Sequence, residues 1–483
     1  MEPETPWPQL RFHKTTLPPH AVQHAAGTTW RQRAAKTASG ITGLAAMLFI
    51  RNRGLRKRWA VPGALVRLAS AASLSSSPSS APSSELQVSN RSIYVLLIVS
   101  CLSLLGLTMP SPALPLIRSH FGLVDWQTGL VSSCMSLGML AAVAVWPSYS
   151  DTLGRKKVLT LSLFCTAGLF CGQVMKLKPG SSFQEFLLMR FLTGLFAGCN
   201  PIFKAYLADV VPSEQLPRFM VFREASATLA FIIGPALGGF LCMDRGLQGP
   251  FFATILAHLA GALLLLGFVE EAPSIPPVDE GKAPEEDAQE EDWPLARKVF
   301  AISFFYVVSQ TCFSFFMPLL LHDLFGSQPQ TIGAFLTGTS LVVFFCQVVV
   351  YKRLEKRFGL EVTGALGAAA IFLGLVTLSL RPQLLPLAAA LYAFGSATFP
   401  ATVPTLLAKS VSKGNRGKVL GMDSVINNVG RVITPLGLGV LYGISPSLCF
   451  MVGGCASLVV VQLLRGHIAK KGRDTLDIKM SSK

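Results

Sequence analysis

The sequence predicts an all-α membrane protein of twelve transmembrane helices in two pseudo-symmetric halves of six. The first observation is composition: 51% of the 483 residues are hydrophobic and 14% are charged, against roughly 25% charged in soluble domains. The second is punctuation, since apolar runs recur every 25 to 35 residues between Arg91 and Arg465, and a spanning helix needs about 20 of them. The third is a repeat. IIGPALGGF (Ile232 to Phe240) matches VITPLGLGV (Val432 to Val440) at an offset of 200, and the basic turn ending at Gly154 has an echo ending at Gly359. Internal repeats of this size mark many secondary transporters, whose sites lie near the midplane between the copies.

Residues 1–90 hold eleven Arg or Lys and no acid between Glu4 and Glu85, and close on a Ser-rich run. Such a basic, acid-poor composition fits a transit peptide or a disordered tail. The run Ile41 to Ile50 is too short to span. The first half, 91–270, carries predicted spans at 93–117, 127–147, 158–176, 185–208, 219–242 and 250–269. An acidic linker, 271–297, follows, too polar and proline-broken to fold alone. The second half, 298–465, carries spans at 298–321, 331–351, 362–380, 385–408, 418–443 and 447–465, and 466–483 is a basic tail.

Orientation follows from the short loops. Those after helices 2, 4, 8 and 10 hold thirteen Lys or Arg, Arg155, Lys156 and Lys157 among them, against about five on the opposite side. Both ends of the twelve-helix body are therefore expected to face the cytosol or its organellar equivalent, and the N-terminal extension leaves a plastid or mitochondrial membrane open. The ten cysteines stand in no CxxC spacing, which argues against a disulfide framework or metal site. Hydrolase, zincin and P-loop patterns are missing as well. No catalytic residue, cofactor, metal or nucleic-acid partner is expected; the expected partners are the lipid bilayer and a small-molecule solute, with a monomeric chain.

PSYSDTLGRKK, from Pro147, resembles the loop signature of the major facilitator superfamily, with Asp151, Gly154, Arg155 and Lys156 matching and Thr152 standing where the family usually has Arg. RFLTGLFAG, from Arg190, resembles the family's helix 4 motif. GPALGG, with Gly234, Pro235, Gly238 and Gly239, and GLTMPSPALP in helix 1 are similar to its tetracycline and multidrug branch. The resemblance implies the major facilitator fold and alternating access. It further implies that Asp151 sits beside a helix N-terminus, pairs with cations across the two halves and holds one conformer closed. A turn that only sets topology is the plainer alternative, as pure packing is for GPALGG.

Charges inside spans are functional candidates by default. Arg431 falls near the middle of helix 11, with Asn427 and Asn428 one turn away on its face. Arg190 in helix 4 and Gln310 in helix 7 complete the candidate binding set, beside aromatic and hydroxyl residues such as Tyr306, Phe313, Tyr392 and Phe399. Helix 1 has no acid, and no carboxylate stands clearly mid-span, so a neutral or anionic solute is expected over a cationic drug. Two alternatives stay open: a proton-coupled multidrug or tetracycline-type efflux antiporter, with protons as the coupling ion, and a transporter-like receptor or scaffold without flux.

Overall fold

The computed structural model describes residues 89–212, 214–272, 292–411 and 415–481. The N-terminal extension and most of the acidic linker lie outside the described residues. Twelve helical segments follow in order: α1 (Asn90–Phe121), α2 (Asp125–Leu153), α3 (Arg155–Lys176), α4 (Phe183–Val210), α5 (Leu216–Arg245), α6 (Gly249–Phe268), α7 (Trp293–Phe325), α8 (Pro329–Phe358), α9 (Leu360–Leu380), α10 (Pro382–Ser410), α11 (Arg416–Ile444) and α12 (Pro446–Ser481). Ten continuous stretches are long and apolar enough to cross a membrane, and one of them, Arg218–Phe268, contains both α5 and α6. The twelfth helix, α11, falls short on apolarity, with Asn427, Asn428 and Arg431 inside its most apolar stretch.

Several helices bend where proline removes a donor. In α1 a short 3-10 turn, Ser111–Ala113, separates Asn90–Thr108 from Leu114–Phe121 beside Pro110 and Pro112. The breaks in α4 and α10 sit beside Pro201 and Pro400, at corresponding places in the two halves. The helix α8 carries a π-turn at Cys346–Tyr351. By contrast α2 runs through Pro147 to Leu153, so the charged turn is shorter than its sequence suggests. The C-terminal tail is also not a separate segment, since α12 continues as helix to Ser481.

The two halves meet along α2 against α11 and α5 against α8. Without a hydrophobic driving force between helices in lipid, small residues let backbones approach, and here they do so in symmetric pairs. Gly129 lies on the Pro435 carbonyl, and Gly333, 204 residues later, lies on the Pro235 carbonyl. Ser133 Oγ donates to the Val432 carbonyl at 2.7 Å, and Thr337 Oγ1 donates to the Ile232 carbonyl at 2.8 Å. Gly239 abuts Pro329, and Gly439 abuts Asp125 and Trp126. GPALGG therefore has two faces: Gly234 and Gly238 seat α5 on Thr108 and Met109 of α1, while Gly239 meets the other half.

All of these contacts lie toward one end of the bundle, called here the far end, where α1, α5, α7 and α11 finish. At the other, basic end, the same interface helices stand open. Tyr149 is 54% exposed, Val221 66%, Phe345 58% and Met422 41%. The two halves are thus in contact at the far end, while at the basic end these residues of the same helices are exposed.

Candidate functional site: a cationic cleft between two halves

Arg431 lies fifteen residues into the 29-residue α11, about 22 Å along it at 1.5 Å per residue. Ile433 and Val440, 52% and 54% exposed, mark the outward face of this helix. At about 100° per residue Arg431 stands roughly 160° from Ile433. It points inward, yet it is exposed, and that combination places its guanidinium in the cleft. Its neighbours fix the direction: Gly430 faces Val307 and Phe304 of α7, and the Val432 carbonyl is held by α2. Arg431 makes no ion pair or hydrogen bond with the described residues; its charge reaches the hydroxyls of Tyr306 and Tyr392.

Those tyrosines belong to an aromatic seam between α7 and α10. Tyr306 stacks on Phe399 with ring centroids 4.1 Å apart, and Phe313 stacks on Tyr392 at 3.6 Å. The Tyr306 hydroxyl is buried without a partner, a cost of about 1–3 kcal/mol unless another group reaches it. In the first half Phe231 takes the position equivalent to Arg431, 200 residues earlier, and is 52% exposed. Sequence reading missed Phe231, although the repeat offset points directly to it.

On this side Lys204 and Arg223 share one carboxylate. Lys204 Nζ pairs with Glu224 at 3.1 Å, and Glu224 also accepts from Arg223 at 2.7 Å. The sequence candidates separate on this geometry. Asn427 is committed to Asp423, at 3.0 Å, and to Ser303 of α7, at 3.5 Å. Asn428 bonds the Ser424 carbonyl of its own helix. Gln310 is half-buried one turn before the exposed Ser314 and makes no hydrogen bond with the described residues. Arg190 is not brought to Arg431. It is 8% exposed, its guanidinium contacts Met135 Sδ at 3.5 Å and lies between the Phe186 and Phe251 rings, at 5.6 and 5.9 Å, and cation–π attraction offsets part of its burial.

At the basic end Asp151 sits on the last turn of α2, not in the turn itself, and pairs with Arg155, the first residue of α3. Arg155 also bonds Asp209 of α4 at 2.9 Å. Both partners belong to the same half, so in this conformer the knot of charge does not bridge the halves. Gly154, at φ 99°, permits the reversal, in a region that L side chains avoid. The Glu271 carboxylate caps α3 by accepting the Lys156 amide at 2.7 Å.

The bridge lies at the opposite end. Arg118 of α1 bonds Asp323 of α7 at 2.7 Å and Asp125 of α2 at 3.2 Å, and Tyr442 of α11 donates to Asp323 at 3.0 Å. From the sequence Arg118 reads as an outer-loop charge and Asp323 as an acid near the outer end of a helix, with nothing local to pair them. A signal was present: Phe121-Gly122 and Phe325-Gly326 repeat at an offset of 204, and both glycines end their helices at φ near 60°. Asp323→Asn is expected to weaken this closure by about 1 kcal/mol, near fivefold. The check is maleimide labelling of Thr128→Cys, now fully buried; unchanged labelling would show that the helix packing alone holds the far end shut.

A family model described as Major Facilitator Superfamily matches residues 96–298 and 299–475. The chain belongs to the major facilitator superfamily. It is accordingly an integral, multi-pass secondary transporter of small solutes. Among relatives of this superfamily member, Multidrug resistance protein 1 of Bacillus subtilis is 25% identical over 360 residues, covering 74% of this chain and 90% of that protein. Quinolone resistance protein NorA of Staphylococcus aureus is 23% identical, covering 79% and 98%. Solved structures share the fold: the human organic anion transporter MFSD10 (TETRAN), at TM-score 0.60 and 20% identity over 77% of this chain and 99% of that one, and a D-xylose–proton symporter at TM-score 0.64 and 15% identity over 77% and 96%.

Proposed function

We propose that this transporter moves a small organic anion, with Arg431 as the counter-charge. One observation carries the reading: Arg431 is a cleft-facing cation at mid-helix with no ion-pair partner, whereas Lys204 is matched by Glu224. A bare charge at that depth costs roughly 2.5–3.5 kcal/mol, and a bound anion would offset that cost. The aromatic seam and Phe231 suit an apolar body on the solute, and a human structural neighbour is described as an organic anion transporter. Gln310 stands as a second contact, while Asn427 serves chiefly to hold Arg431's helix on α7. Uptake and efflux by proteoliposomes over a panel of organic anions, neutrals and cations, with and without a pH gradient, tests the reading.

In the same scheme the basic end faces the cytosol or its organellar equivalent, the chain acts as a monomer, and the N-terminal extension addresses it to an organelle. Asp151 and the Gly154 turn act when the basic end closes, in the conformer that breaks the Arg118–Asp323 bond. Asp151→Asn should slow turnover while leaving insertion intact, because the cations that set topology remain; normal turnover in that variant would reduce the motif to a topology signal. A second reading, proton-coupled exchange, is favoured by Glu224, an exposed carboxylate within a spanning helix, and by relatives named for drug resistance. Flux that ignores the pH gradient would remove it.

A further inference from the structure

A cavity of about 420 Å³ opens at the basic end where α1, α3 and α6 meet, away from the cleft, lined by Ser89, Arg91, Ser92, Lys156 and the chain from Leu266 to Glu270. That volume is in the range of ligand sites. The Arg91 guanidinium lies 4.5 Å over the Phe268 ring, so its face is held while its edge donors are left without an ion-pair partner. Lys156 Nζ bonds only the Leu266 carbonyl, at 3.1 Å, and has two donors left. Of the nearby acids, Glu271 lies outside the lining and caps α3 with its charge retained, and Glu270 stands at the rim. Arg91 and Lys156 against Glu270 give the lining a net charge of +1. At Gly267 the wall has room to spare, with nothing within 4 Å of where a side chain would start.

We propose that this cavity binds a phosphate-bearing headgroup, that of an anionic phospholipid. An Arg fork beside a Lys point charge is suited to phosphate oxygens. The position adds a second argument. Below Arg91 on the same face of α1 come Tyr94 and Ile98, 48% and 52% exposed, and below Gly267 on α6 come Leu263 and Leu256, 63% and 67% exposed. The cavity thus sits where a polar site passes into two apolar stripes, which is the layout a headgroup with its acyl chains requires. Because Lys156 is the second residue of α3, directly after the α2–α3 turn, a bound headgroup ties that end of α3 to α1 and α6 and makes its position depend on lipid charge.

The test uses the full chain purified in neutral detergent, with retention measured by native mass spectrometry for phosphatidic acid and for phosphatidylcholine, and the thermal midpoint followed in inorganic phosphate. Phosphatidic acid should be retained at least about fivefold better than phosphatidylcholine, the value of one interfacial cation. The preference should fall toward unity in Arg91→Gln, and persist in Arg91→Lys and in Arg297→Gln, an exposed basic-end charge outside the cavity. A midpoint raised by inorganic phosphate, lost in Arg91→Gln, with no lipid preference, would keep the phosphate site and assign it to a soluble ligand. Equal retention of the two lipids with no phosphate effect overturns the proposal, and so does an equal loss in Arg91→Gln and Arg297→Gln.

Discussion

Arg431→Gln should sharply weaken transport of the anionic solute, through its apparent affinity, while leaving expression and the thermal midpoint near those of the wild type. The side chain makes no hydrogen bond or ion pair with the described residues, so removing its charge breaks no structural contact and relieves the cost of holding a cation at mid-span. What is lost is a charge-assisted hydrogen bond to the solute, worth about 1.5–3 kcal/mol, or about 10- to 100-fold in apparent affinity. Arg431→Lys should fall between, because a point charge replaces a planar fork. Counterflow in proteoliposomes gives the affinity. If Arg431→Gln transports with wild-type affinity, this arginine is a packing residue that happens to face water.

The second large effect concerns folding. Gly238→Leu should cost more than the roughly 1–3 kcal/mol of ordinary overpacking, because the first added carbon overlaps the backbone carbonyl of Met109, and a helix backbone cannot rotate away as a side chain can. The helices α1 and α5 would separate along their length, taking the first half's wall of the cleft with them. Gly437→Leu is the matched control, a position where an added side chain meets nothing within 4 Å. Size-exclusion profiles and thermal midpoints should show loss of folded protein in the first variant and none in the second. Similar behaviour of the two would mean that the α1–α5 contact is looser than the small-residue seat implies.

Much of this molecule was legible in its sequence, for reasons that are local or periodic. Apolar length gave the spans, since backbone groups in lipid must be satisfied within each helix. The offset between Pro235 and Pro435 gave the duplication, which the structure carries further through Gly129 with Gly333 and Ser133 with Thr337. The helix least visible to hydropathy, α11, also carries the proline and glycines that copy α5. Arg431 could be placed by counting along that helix, since rise and rotation per residue are fixed.

Other features depend on how helices dock, which no local pattern encodes. Arg118 and Asp323 are 205 residues apart, and their bond exists only because the halves close at the far end. The direction of Arg190 was equally hidden: α4 packs on α2 and α3, and the guanidinium went to the Phe186 and Phe251 rings. Asn427 shows the same limit in milder form, for its place on the polar stripe was readable but its bond to Ser303 was not. Asp151 was expected to reach across the halves, and here it pairs with Arg155 within its own half.

If Arg431 is the counter-charge proposed above, binding depends on the charge of the solute. That dependence is tested most directly by competition in proteoliposomes among three solutes of one shape, an aromatic carboxylate, its neutral amide and its amine analogue, each against the same transported tracer. The carboxylate should compete best and the amine worst, with the difference between carboxylate and amide collapsing in Arg431→Gln. An amine that competes as well as the carboxylate, in the wild-type protein, would contradict it.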